Sequence, residues 1–316
     1  MVQMITISKR RHRGHSPQPR LRPRSDTGRL VARWARPLLL VGMCCLMVCL
    51  AACSATGAAS ATGASPTVKA QPTATHGKVA TPTQSEPTLA GWSLIWDSEF
   101  DAGVFDSSKW QPIDSTIPST AGCCAQYANE QWSPSNVFVS GGALHLVTEK
   151  KPSGGYPYTS GAVTTIGKFS FKYGRVDIRA KLPTTEGLWP AAWLLPTTGT
   201  GPWYSPYEID LIEAWGSQPT TAHFFFHWRT GQHGCEVNGP NFAADYHTYT
   251  LIWTPKLVEW QVDGVTHCTA TNDIPPTPMY LILSAAIDGS LETTDSRTVL
   301  PQSFDIDYVR VWSAKN

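Results

Sequence analysis

The 316-residue chain carries 25 Lys and Arg against 24 Asp and Glu and is 41% hydrophobic, enough apolar content to bury a sizeable core in one or two domains. The charge is unevenly spread: ten of the bases and one acid precede Pro37, leaving 15 bases and 23 acids for the rest. An acidic body argues against nucleic acid as a partner, because that binding depends on neutralising phosphates with Lys and Arg.

In chain order, residues 1–52 read as a lipoprotein-type signal peptide. A basic region is followed by the uncharged run from Leu38 to Ala52, short for a membrane span and suited to an export signal. Leu50-Ala51-Ala52-Cys53 resembles a bacterial lipobox, which implies lipidation at Cys53. Residues 53–90 are rich in Ala, Thr, Ser, Gly and Pro without hydrophobic period, and read as a flexible tether. The expected location is therefore extracellular, on the outer face of a bacterial membrane, with the lipid as the sole membrane contact.

Four cysteines lie beyond the leader and the lipid site: Cys123, Cys124, Cys235 and Cys268. An even number in an oxidising compartment points to two disulfides, and four cysteines allow three connectivities. Adjacent cysteines rarely bond each other, so the favoured pairing joins Cys123 and Cys124 each to one of Cys235 and Cys268. Their spacing matches none of the usual zinc patterns.

From residue 91 to 316 the pattern is that of one all-β domain. "NVFVSGGALHLVTE", "KFSFKYGRVDIRAKL", "TAHFFFHW", "YTLIWTPKLVEWQVDG" and "SFDIDYVRVW" alternate apolar with polar residues between turn signals, as in an antiparallel sandwich or barrel. In "LWPAAWLLP" the alternation puts Trp189, Ala191 and Trp193 on one face, an aromatic shelf suited to the apolar face of a pyranose ring. Trp203, Tyr204 and Trp215 flank the strand that follows. In "TAHFFFHW" His223, Phe225 and His227 share a face.

That next strand, "YEIDLIEAWG", is apolar apart from three acids. Glu208 and Asp210 share one face by strand alternation, and Glu213 falls one residue late. A β-bulge would return it to their side. The two Glu carboxylates would then lie about 5 Å apart, the separation of a retaining glycosidase. Asp210 between them would add charge that keeps one Glu protonated and could hydrogen-bond the other. An exposed strand edge is the competing reading.

Glu208-Ile209-Asp210-Leu211-Ile212-Glu213 resembles the Glu-x-Asp-x-x-Glu signature of glycoside hydrolase family 16 in its laminarinase-like, endo-β-1,3-glucanase branch. The similarity extends through "GLWPAAWLLP", "FHW", "DYHTYTLIW" and "FDIDYVRVW" to most of residues 91–316. It implies a concanavalin A-like jelly roll with a catalytic cleft and retaining, endo-acting hydrolysis of β-glucan by a monomer that requires no cofactor. Glu208 matches the nucleophile, Asp210 the assisting carboxylate and Glu213 the acid/base. Trp189, Trp193, His227 and Asn136 match cleft residues, with Trp203 and Trp215 beside them. Asp307 matches a position that holds a structural calcium in many members. The segment "LSAAIDGSLETTDSRTVLPQ" departs from the Gly-rich, Trp-containing run usual there. The alternatives are a glucan-binding protein without chemistry, activity on galactan or xyloglucan, and a transglycosylase.

Overall fold

The computed structural model describes residues 87–117, 128–198 and 206–315. The signal peptide, the tether up to residue 86 with Cys53, and Cys123, Cys124 and Trp203 lie outside the described residues. Within them the strands are, in order, β1 Trp92–Ser98, β2 Gln111–Pro112, β3 Glu130–Trp132, β4 Val137–Ser140, β5 Ala143–Thr148 and β6 Tyr158–Ser160. There follow β7 Ala162–Thr164, β8 Gly174–Lys181, β9 Leu188–Pro196, β10 Tyr207–Glu213, β11 Thr221–Trp228 and β12 Gly231–Asn238. The last five are β13 His247–Trp253, β14 Val258–Val262, β15 Val265–Ala270, β16 Met279–Ile287 and β17 Gln302–Ala314.

Two antiparallel sheets form an all-β sandwich. One runs β15-β14-β13-β8-β17-β5-β4, with β1 also on β17, and the other β12-β11-β10-β9-β16-β7-β2. A separate short pair, β3 with β6, is parallel. Each long strand alternates so that one set of side chains enters the shared core. From the first sheet come Val176, Ile178, Leu251, Trp260, Ile306 and Val309, and from the second Ala192, Leu194, Ile209, Phe224, Phe226 and Leu283. The opposite face of the second sheet carries a smaller buried cluster that includes Trp132, Ala191, Trp193, Tyr280 and Ile282. The sheet that holds the acids thus has two different faces, one sealed in the core and one lining the site.

Turn chemistry fixes the register at the hairpin of β14 and β15. Asp263 and Gly264 adopt φ of 49° and 79° there, the left-handed pair that a two-residue turn demands and that Asp-Gly supplies.

The cysteine pairing differs from the expectation. Cys235 is bonded to Cys268, with their Cα atoms 6.4 Å apart. The physical reason is topological: β12 and β15 are terminal strands of the two sheets, and the fold brings those edges together. Elimination among four cysteines carries no information about which strands end up as neighbouring edges. Closing a loop of this sequence separation, 33 residues, stabilises a fold by about 3–4 kcal/mol in the chain-entropy account. The Cys235→Ser/Cys268→Ser double variant is expected to lose stability of that order in chemical denaturation, and an unchanged midpoint would show that the sheet edges hold without it.

Candidate active site

The central strand of the site, β10, does contain a bulge. On its β9 side Asp210 faces Trp193 and Ile212 faces Ala192, so Leu211 is the extra residue. Leu211 and Ile212 therefore both enter the core, each fully buried, and Glu213 returns to the face of Glu208 and Asp210. The backbone carbonyl of Asp210, where the ladder is interrupted, accepts a 2.8 Å hydrogen bond from Nε1 of Trp260 in the opposing sheet. That bond ties the bulged strand to the opposing sheet.

One cavity is lined by all three carboxylates together with Trp132, Trp189, Ala191, Trp193, Ser284, Ala128 and Ala286. Trp189 does more than present a ring: its Nε1 donates to Glu213 Oε1 at 2.8 Å. Trp193 is buried, and its Nε1 donates to Ser284 Oγ at 3.3 Å. His227, opposite Glu208 in the β10–β11 register, places Nε2 3.3 Å from Asp210 Oδ2.

Burial is the first cause acting on every acid here, and it raises all three. Glu208 is held well above the usual carboxylate range by burial, then by the charges of Asp210 and Glu213. Glu213 is likewise held well above it by burial and by Asp210, while the Trp189 hydrogen bond pulls it down. Asp210 is raised by burial, against contacts with His227 and Glu208 that lower it. The three acids act on one another, and Glu213 alone among them holds the Trp189 indole as a donor. Three acids with unequal surroundings can divide acid and nucleophile roles between them.

Glu208, Asp210 and His227 offer ligand atoms within 4.8 Å of one another, near enough for a cation. Their mutual pairing suits a shared proton equally well. Asp307, the residue expected at a structural calcium, lies half-exposed. Its Oδ2 pairs with Arg179 Nη1 at 2.7 Å.

Two residues expected in the cleft make other contacts. Asn136 ends a short 3-10 turn, Pro134–Asn136, and is buried. Its Nδ2 donates to Val147 O at 3.0 Å and faces Glu149 Oε2 at 3.4 Å, so its amide is committed to the fold and not to the cavity. Trp215 is not among the cavity-lining residues and stacks on buried His223, ring centroids 3.8 Å apart, beyond Glu213. Trp132, Ser284 and Glu130 were not legible beforehand. Trp132 and Glu130 sit in a three-residue strand too short to show a period, and Ser284 hides in the apolar run of β16.

The sequence profile of the family described as "Glycosyl hydrolases family 16" matches residues 125–310. The chain belongs to that family. It is 36% identical over 270 residues to "Glucan endo-1,3-beta-glucosidase A1" of Niallia circulans, covering 74% of this chain and 39% of that protein. It is 32% identical over 247 residues to a "Beta-glucanase" of Rhodothermus marinus, covering 70% and 85%. Among solved structures, the laminarinase catalytic domain of Thermotoga maritima MSB8 superposes with a TM-score of 0.65 at 32% identity, over 71% of this chain and 99% of that one. This family 16 chain thus spans well under half the length of the Niallia circulans protein and most of the Rhodothermus marinus one.

Glu130 gives a stability test. It is buried beside the cavity, its Oε2 accepts from the Ile287 N–H at 3.2 Å, and burial is the main cause that raises its pKa to about 8. A carboxyl raised in the folded state favours folding fully below its unfolded pKa, and that advantage is lost as pH rises toward about 8. Glu130→Gln should therefore match the parent near pH 4 and gain on it steadily toward pH 8 in thermal unfolding. Parallel melting curves across that range would show that Glu130 is not a buried, protonated acid.

Proposed function

We propose that the chain is a retaining endo-β-glucanase cutting β-1,3 or mixed β-1,3-1,4 glucan. The observation that carries the reading is the row Glu208, Asp210, Glu213 brought to one cavity wall by the bulge, with Trp189 bonded to Glu213 and His227 beside Asp210. Glu208 attacks the anomeric carbon as Glu213 protonates the leaving oxygen, giving a covalent glycosyl-enzyme. As Glu208 gives up its charge, the shared proton passes to the Asp210 side of the pair. Glu213, now ionised, takes a proton from water, and that water releases the sugar with retained configuration. The glucanases named among the relatives support β-glucan as the substrate. We further propose that the signal peptide and Cys53 tether the enzyme outside the cell, so that mature protein partitions into detergent.

Two experiments test the chemistry. Product analysis on laminarin, lichenan, agarose and xyloglucan should show internal cleavage of the first two. With an aryl β-glucan oligosaccharide and azide, Glu208→Ala should yield the α-glycosyl azide and Glu213→Ala the β-glycosyl azide. The reverse pattern would exchange the two roles.

Trp189 gives a pH test. Its hydrogen bond lowers the pKa of Glu213, and turnover needs Glu213 protonated, so removing the bond extends activity upward. Trp189→Phe keeps a ring and loses the N–H. The alkaline limb of kcat/KM should move to higher pH; a limb that stays in place would leave Trp189 a stacking surface alone.

A further inference from the structure

The segment between β16 and β17 takes no part in the mechanism above. Glu292 lies in it, and although acidic it is buried, 6% exposed. Its Oε2 accepts from the Gly187 N–H at 3.0 Å, and its Oε1 accepts from the Ser217 hydroxyl. These are the ends of two strands. Gly187 stands two residues before Trp189, and Ser217 four residues after Glu213. The strand ends are also joined directly, Ala214 N–H to Pro190 O at 3.1 Å and Gly216 N–H to Leu188 O at 2.8 Å.

The packing around this junction is close. Gly187 has φ of +90°, and a Cβ there would come within 2.6 Å of Thr294. A Cβ on Gly216 would come within 2.0 Å of the Thr185 carbonyl. The segment itself is anchored by Val299 N–H to Thr185 Oγ1 at 2.8 Å and by Thr298 Oγ1 to Glu186 O at 2.9 Å. Glu292 therefore reaches from an anchored strap to the Gly187 backbone and the Ser217 side chain, at the ends of the two strands that carry the Trp189–Glu213 pair, whose own contact is 2.8 Å.

We propose that Glu292 is a positioning residue that holds Trp189 in hydrogen-bonding register with Glu213, and so tunes the acid/base through the strap. The role rests on the reading of Glu213 as acid/base. Hydrogen-bond geometry is steep in distance and angle, so a small relaxation of either strand end weakens the indole contact. Gln can replace Glu292, because its oxygen still accepts from Gly187 and its amide can donate to the Ser217 oxygen. Met has similar length and can do neither.

The test compares Glu292→Gln, Glu292→Met, Ser217→Ala and the pair Trp189→Phe/Glu292→Met in the full-length protein. Glu292→Met should lose about tenfold to a hundredfold in kcat/KM, the size expected of a small misplacement, and move the alkaline limb to higher pH. Glu292→Gln should restore both. The double variant should move the limb no further than Trp189→Phe does, since both changes remove the same contact. Arg297→Ala, which removes the pairings of an exposed strap residue with Asp295 on the strap and Glu186 before β9, should leave the limb in place. A 13C NMR titration of the Glu213 carboxyl, assigned by its loss in Glu213→Gln, reads the same shift without turnover. It therefore separates this proposal from the choice of glucan as substrate. If Glu292→Met does not fold, Ser217→Ala should show a smaller shift in the same direction. An unmoved Glu213 titration in a folded variant, a Gln variant no better than Met, or additive shifts in the double variant would each overturn the proposal.

Discussion

A single extra residue in β10 is the constraint on which the site depends. Side chains in a strand alternate with a period of two, so Glu208, Asp210 and Glu213 cannot share a face unless the ladder slips once. Leu211 is that slip, and it sends two consecutive apolar side chains, Leu211 and Ile212, into the core while Glu213 turns outward. A bulge leaves backbone groups out of the ladder, and here the Asp210 carbonyl takes its hydrogen bond from Trp260 across the sandwich. The opposing sheet, which contributes nothing to the cavity lining, thereby stabilises the local irregularity that creates the acidic row.

The row is costly to the fold. Each acid is buried and raised, and a charge placed among apolar rings is disfavoured unless it is paired or neutralised. The core between the sheets offsets that cost, with Trp253, Trp260, Phe224 and Phe226 among its fully buried rings. What keeps the three acids from being equivalent is their second contact. Asp210 has His227, Glu213 has the Trp189 indole, and Glu208 has chiefly Asp210 itself. Equivalent acids would share protons without preference. Unequal ones can hold a proton on one group and a negative charge on another at the same pH.

The parts of this arrangement that follow from local periodicity were legible in the sequence. Alternation places Trp189, Ala191 and Trp193 together, and the late Glu213 calls for the bulge. The parts that depend on distant neighbours were not. Cys235 meets Cys268 because two sheet edges coincide, which no spacing encodes. Asn136 matched a family position, yet its amide is consumed by Val147 and Glu149. Asp307 matched another, and it pairs with Arg179 from β8, a partner 128 residues away in sequence. Glu130 and Trp132 lie in a strand of three residues, below the length at which a pattern can appear.

The same contacts bear on the choice between an enzyme and a module that only binds glucan. A binding surface needs rings and hydroxyl partners, and gains nothing from burying three acids that repel one another. A hydrogen bond from an indole to one carboxylate, with an imidazole beside another, orients groups whose protonation matters more than their contact area. The strap reaching both strand ends through Glu292 adds a third layer of the same kind, since it holds the Gly187 N–H and the Ser217 hydroxyl beside the strands that carry Trp189 and Glu213. In a binding module the precision of that layer would be idle, whereas proton transfer along a hydrogen bond loses rate with each few tenths of an ångström of misplacement.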